Sequence, residues 1–171
     1  MIVRPHEAGD FDAIRHIYAE AFRRPESPEP EPWEAGLFEA LWEAGDIVHE
    51  LSFTALAGDK AVGHVTASRA TVDAHSVVAV GPIGVLPEYQ GAGIGSALME
   101  ALLGAADAAD VPLVVLLGSP RYYSRFGFRP ARTLGVIAPE ASWEDAFQAR
   151  PLSAYTPLVA GRFQYAPAFS P

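Results

Sequence analysis

Residues 86–96 read Leu-Pro-Glu-Tyr-Gln-Gly-Ala-Gly-Ile-Gly-Ser, with glycines at Gly91, Gly93 and Gly95. Without a Cβ at these positions, successive backbone N–H groups can face one point. Ile94, Leu98, Ala101 and Ala105 then recur at helical spacing, so the turn also opens a helix. Unpaired amides and the macrodipole at such a terminus favour an anion. The chemistry this predicts is capture of a phosphate or pyrophosphate. Two other phosphate motifs fit less well. A P-loop ends in Gly-Lys-Ser/Thr, and the one lysine, Lys60, lies thirty positions before Gln90. A dinucleotide fingerprint needs a third glycine where Ser96 stands, and an acid ending the next strand. Asp110 precedes that strand instead.

The elements that must hold this turn follow from pattern. Residues 77–85 read as a strand leading into it, and Pro82 within them predicts an edge position or a bulge. A helix is expected from 93 to about 109. Residues 112–117 are almost purely aliphatic, the mark of a strand buried on both faces. Upstream, residues 1–4 suggest a short strand ended by Pro5. A helix starts at Asp10, with Phe11, Ile14, Ile17, Tyr18, Ala21 and Phe22 along it, and a second spans 33–44. Between them, residues 25–32 alternate proline with acidic residues. They predict a solvated, extended loop, the alternative being a rim of a substrate cleft. Strands at 47–57 and 61–72 are joined by Gly58-Asp59-Lys60. Downstream come an aromatic helix-and-turn at 122–128, strands at 133–137 and 146–155, and a tail from 156 to 171 too proline-broken for long regular structure. Hairpins followed by one strand–helix–strand crossover indicate an α+β fold. No domain boundary is visible, so residues 1–171 are read as one domain.

Composition narrows the partners. The chain has 171 residues and a formal net charge of −9, against nonspecific nucleic-acid binding, which needs clustered Lys and Arg. There is no cysteine, which excludes disulfides, thiolate metal sites and a Cys nucleophile. No apolar run is long enough to span a bilayer and no signal-peptide core is seen. The expectation is therefore a cytoplasmic protein with no membrane partner.

Gln90-Gly91-Ala92-Gly93-Ile94-Gly95 resembles the Q/R-x-x-G-x-G/A pyrophosphate loop of the GCN5-related N-acetyltransferase (GNAT) superfamily. The preceding Ile83-Gly84-Val85 is similar to that family's cofactor strand. Tyr123-Ser124-Arg125-Phe126-Gly127-Phe128 matches its Tyr-x-x-x-Gly-Phe segment. The stretch 113–128 and the closing Tyr-Ala-Pro-Ala-Phe resemble the small bacterial YhbS-like branch. The resemblance implies a GNAT-like mixed, mostly antiparallel sheet of about six to seven strands, splayed beside the cofactor strand and flanked by about four helices. It implies an N-acetyltransferase that moves the acetyl group of acetyl-CoA, without a metal, to a primary amine of a small molecule or peptide. The pyrophosphate would lie on amides from Gln90 to Ser96, and the pantetheine arm along Ile83, Gly84 and Val85. Val85 N–H would polarise the thioester carbonyl, and Tyr123 would protonate the leaving thiolate. Ser119 stands where the family often has asparagine as a cofactor contact. For the base, Glu50, His49, His64 and Glu88 are weak candidates, and His49 and Glu50 on one strand would face opposite sides. The acidic loop suits a cationic amine such as a polyamine or a basic peptide terminus. A noncatalytic acyl-CoA sensor is the alternative function, and a homodimer is left open.

Overall fold

The structure, a computed structural model, describes residues 1–169. Nine strands form one sheet around which four α-helices are arranged. The strands are β1 (Ile2–Pro5), β2 (Phe53–Ala57), β3 (Lys60–Val72), β4 (His75–Val85), β5 (Leu113–Leu117), β6 (Arg129–Pro130), β7 (Val136–Ile137), β8 (Phe147–Pro151) and β9 (Gly161–Tyr165). The helices are α1 (Phe11–Ala21), α2 (Trp33–Ala44), α3 (Ile94–Ala108) and the single turn α4 (Pro120–Tyr123). The main path runs β1-β2-β3-β4-β5-β8-β6, with β9 joining β3 to β7. Only β4–β5 and β7–β9 are parallel. None of the described helices is long and apolar enough to cross a membrane.

Two glycines set the layers. Gly63 in β3 and Gly84 in β4 occupy neighbouring pairs, Gly63 opposite Val85 and Gly84 opposite His64, so they face opposite sides of the sheet. A Cβ on Gly63 would come 3.0 Å from Ile94 of α3, and one on Gly84 would come 3.1 Å from Tyr18 of α1. Each glycine lets a helix lie directly on the strands. One face therefore carries α3, with Leu98, Met99 and Leu102 buried. The other carries α1 and α2, where Tyr18, Phe38 and Leu41 are buried together. A third apolar cluster, around Phe147 and Phe163, unites β8, β9 and the ends of β3 to β5.

The α+β reading holds, as do the three long helices, the hairpin and the buried β5. Pro82 lies past the last β4–β5 pair, on the edge that β5 leaves, and at a bulge in β4. The β3–β4 register shifts between Val65 and Ala67, opposite this proline. The strand expected over 47–57 begins only at Phe53, because His49–Leu51 wind into a 3-10 turn. The alternation argument for His49 and Glu50 therefore does not apply. The strand expected over 133–137 shrinks to Val136–Ile137 behind a 3-10 turn, and that over 146–155 to β8. The tail does contain a strand, β9, in which Phe163 is buried between exposed Arg162 and Gln164. Of the tail's three prolines, Pro171 lies outside the described residues.

Candidate active site

After β4, a 3-10 turn (Pro87–Tyr89) leads into the glycine loop and the N-terminus of α3. Gly91 and Gly93 adopt φ of 78° and 82°, left-handed values that glycine alone takes freely. A Cβ at either would meet nothing within 4 Å, so conformation and not crowding demands glycine here. A cavity of about 370 Å³ opens against Val85, Gln90, Gly91, Gly93, Ile94, Gly95 and Ser96. Tyr89, Tyr122 and Arg125 complete its lining. Arg125 stacks 4.4 Å from the Tyr122 ring centre and donates through Nε to the Tyr122 carbonyl. A fixed cation thus stands beside amides suited to an anion. Ala92 is exposed outside this lining.

The β4 edge beside the loop is open for a chemical reason. β5 pairs with β4 only at Val78 and Ala79, and diverges beyond. Leu86 N–H donates across to Val62 of the neighbouring chain segment at 2.8 Å. Antiparallel ladders alternate the direction of their N–H groups. The N–H groups of Val85 and Ile83 therefore turn away from β3, toward the edge that β5 leaves. Val85 C=O, on that edge, accepts from the Gln90 side chain at 2.9 Å. An extended amide-bearing chain laid along this edge would find strand-type partners. Gly84, between them, is buried against α1.

A second cavity, of about 470 Å³, lies where β4 and β5 splay. Gly81, Pro82 and Ile83 border it, with Leu116, Leu117 and Tyr123 opposite. Tyr123 owes its place to Gly118. A Cβ there would sit 2.5 Å from the Tyr123 ring. Burial, and then neighbouring Tyr122, hold the Tyr123 phenol above its ordinary pKa. Adjacent tyrosines thus serve different cavities: Tyr122 the loop, Tyr123 the splay. Phe128 is buried, whereas Tyr122 is half-buried at the loop. Ser119 is exposed at the start of α4 and borders neither cavity, its carbonyl accepting from Tyr122 and Tyr123 N–H.

None of the four base candidates lines either cavity. Glu88 is exposed and pairs with Lys60 at 3.3 Å. Glu50 is exposed in the turn before β2. His49 and His64 belong to a chain of imidazoles that runs from exposed His49 to fully buried His64. His49 Nδ1 lies 2.6 Å from His6 Nε2, and His6 Nδ1 lies 2.9 Å from His64 Nε2. His64 Nδ1 lies 2.7 Å from the Tyr18 hydroxyl, which donates to Pro82 C=O at 2.8 Å. A carbonyl can only accept, so Tyr18 spends its one proton there. Each imidazole must then carry its proton on Nδ1, and every donor points toward β4. Thr66 supplies a further contact to Tyr18 at 2.8 Å. Burial is the main force lowering the His6 pKa to about 4 and the His64 pKa well below its ordinary value. The buried part of this chain, His6, His64 and Tyr18, is neutral scaffolding tying α1 to β3 and β4.

The carboxylates that do face the splay cavity are Glu34 and Glu140, which sequence reasoning missed. Among the described residues no group of three or more His, Cys, Asp or Glu side chains could hold a metal ion.

A family model described as an acetyltransferase (GNAT) domain matches residues 2–131. A curated relative, the uncharacterised N-acetyltransferase YjhQ of Escherichia coli K12, is 36% identical over 111 residues. That stretch covers 62% of this chain and 61% of the relative's length. The GNAT protein YhbS of Escherichia coli, solved with CoA, superposes with a TM-score of 0.87 at 26% identity. The match covers 98% of this chain and 91% of that one. A GNAT acetyltransferase from Brucella melitensis, solved with acetyl-CoA, gives 0.78 at 28% identity, covering 99% and 97%.

Proposed function

The chain belongs to the GNAT acetyltransferase family, and on that premise we propose that it transfers an acetyl group from acetyl-CoA to a primary amine by direct attack on the thioester. The observation that carries this reading is the continuity of the two cavities along one strand edge. Val85 borders the loop cavity and Ile83 the cavity with Tyr123. A ligand with an anionic end, an extended amide arm and a reactive tip matches that sequence of features. The CoA and acetyl-CoA bound by the two structural relatives are such ligands.

The amides from Gln90 to Ser96, with Arg125, take the pyrophosphate. Ile83 and Val85 offer backbone partners to the pantetheine amides, and the Val85 N–H polarises the acetyl carbonyl. Gly84 lets that strand lie close on α1. Acetyl-CoA supplies the activated acetyl carbon. The neutral amine nitrogen forms a bond to that carbon with its lone pair. The carbon–sulfur bond breaks, and its electron pair leaves on sulfur, which takes the phenolic proton of Tyr123. The surplus proton on nitrogen goes to solvent, and Tyr123 is reprotonated from solvent. An amine, acetyl-CoA and no other reactant give an amide and CoA.

The test is Tyr123→Phe, assayed by release of free thiol. The chain has no cysteine, so the protein adds no background. Loss of the acid should lower kcat about 10²-fold or more, with acetyl-CoA affinity retained. Unchanged turnover would remove Tyr123 from the mechanism. Tight acetyl-CoA binding with no turnover on any amine would instead favour the noncatalytic sensor.

A further inference from the structure

We propose that the acceptor is a monoamine carried on an apolar, preferentially aromatic body and lacking a carboxylate; this rests on the acetyltransferase reading above.

The cavity beside Tyr123 has an aromatic wall assembled from three distant parts of the chain, around residues 33, 143 and 165–169. Tyr165 of β9 and Phe169 stack with ring centres 4.0 Å apart and planes 5° from parallel. Trp33, at the start of α2, meets Phe169 edge-on at 6.4 Å, and Trp143 meets Tyr165 at 6.3 Å. These rings present both faces and edges, the two contacts an aromatic guest favours. Two side chains in this cavity are also anomalously open. Trp33 is 50% exposed and Leu117 44% exposed, against the general burial of large apolar groups. Both border the same space. Apolar surface left in water at a concave site is surface that a guest can cover.

Charge defines the other end of the guest. Glu34 and Glu140 line the cavity and no Arg, Lys or His does. Glu34 is 17% exposed, and its one cationic neighbour, Arg24, is a loose 3.7 Å away and 76% exposed. A carboxylate here would lack a cation to pair with and would face two like charges. That disfavours free amino acids and favours amines without an acid group. A polyamine such as spermidine brings three ammonium groups to two carboxylates and has no ring to fill the aromatic wall. The acidic segment at 25–32 argues less for polycations than its composition suggests. Arg15 bridges Glu31 at 2.7 Å and Glu39 at 2.9 Å, spending part of that charge internally.

In the reaction the ammonium releases one proton to solvent near the carboxylates. The resulting amine attacks the acetyl carbon, and thiolate leaves with the Tyr123 proton, as balanced above.

The experiment uses the full chain with acetyl-CoA and four amines: 2-phenylethylamine, phenylalanine, ethanolamine and spermidine. Acetyl-CoA affinity is measured separately by calorimetry. We expect kcat/KM for 2-phenylethylamine to exceed each of the others by about tenfold or more. Trp33→Ala, at a half-exposed position, should lower kcat/KM for 2-phenylethylamine by about tenfold while leaving acetyl-CoA affinity within about twofold. Glu34→Gln should narrow the gap between 2-phenylethylamine and phenylalanine. Retained acetyl-CoA binding shows that each variant is folded. Normal acetyl-CoA binding with spermidine, ethanolamine or phenylalanine preferred, or with none of the four acetylated, overturns the acceptor class alone. Failure of the wild-type chain to bind acetyl-CoA overturns the acetyltransferase reading and this inference with it.

Discussion

The placement of Tyr123 depends on a residue with no side chain. Its ring lies over Gly118, where an alanine methyl would sit 2.5 Å from Cε2, and no flexible end is available to yield. Gly118 has no unusual backbone angle, so Gly118→Ala changes the ring's position without straining the strand end. We expect kcat to fall about tenfold or more, since small misplacements of a reacting group cost rate steeply. Acetyl-CoA affinity should hold, because the glycine loop is untouched, and a kcat equal to wild type would show that the phenol is not held by this contact. The raised pKa of Tyr123 makes a second prediction at the same scale. A donor acid works in its protonated form, so a higher pKa extends activity to the alkaline side. The rate on a fixed amine should rise with pH as the amine deprotonates and show no falling limb below about pH 10, the ordinary phenol value. A falling limb centred near neutrality would mean another group donates the proton. Tyr123 was legible from the sequence through its segment, but Gly118 was not: its role is a contact between residues five apart that no periodicity encodes.

At the scale of elements, strand alternation and helical spacing located β3, β4, β5, α1, α2 and α3, because each buries a regular stripe. The errors fall where tertiary pairing overrides local pattern. His49–Leu51 continue an apolar run, yet they turn, so that His49 reaches His6 and Val48 N–H bonds Ala67. β9 is a clear alternating stretch, but what makes it a strand is a partner ninety residues earlier, Ala70 to Val72 of β3. Pro82 is tolerated at a bulge in β4, where Gly81 and Pro82 oppose Thr66 alone, and its carbonyl found Tyr18 in place of a ladder donor. That bond is the joint between α1 and the strand that carries the reactive end of the site. Tyr18→Phe removes a hydroxyl shared by Pro82, His64 and Thr66, leaving buried polar atoms without their partner. The expected loss is about 1–3 kcal/mol, read as a lower midpoint in urea with the slope unchanged. A midpoint equal to wild type would show that the remaining groups satisfy one another. The aromatic wall of the acceptor cavity was illegible for a related reason. Trp33, Trp143, Tyr165 and Phe169 belong to four elements, and only the packing of α2 and the tail against the sheet edge brings them together.

For the whole molecule, the net charge of −9 and the splay of one sheet around one open edge are separable facts. The first governs which molecules approach, and the second decides what is bound. Stability has its own pH axis, set by the interior and not by the acidic surface. His6 and His64 are almost wholly buried and their pKa values are depressed, His6 to about 4. In the unfolded chain both return toward 6.5. As pH falls below 6.5 the unfolded state binds protons that the folded state refuses, so folding stability declines until the folded groups also titrate, near pH 4 for His6. The stabilisation is fully present above pH 6.5. His6 contributes about 1.4 kcal/mol per pH unit within that window. From pH 7 to pH 5 it should remove about 2 kcal/mol, a fall in melting temperature of roughly 5 °C for a chain of this size, and His64 adds to this in the same direction. His6→Gln, which keeps a hydrogen-bonding side chain but cannot titrate, should be less stable at every pH and show a shallower slope. A melting temperature flat between pH 7 and pH 5 would mean the chain of imidazoles opens to take up protons in the folded state. In that event the single-direction hydrogen-bond path from His49 to Pro82 would not be the arrangement the folded protein keeps in acid. The strand edge beneath the thioester would then lose the bond that anchors it to α1. In the expected case the chain stays closed, so stability falls as pH drops below 6.5 while the bond from Tyr18 to the Pro82 carbonyl is kept.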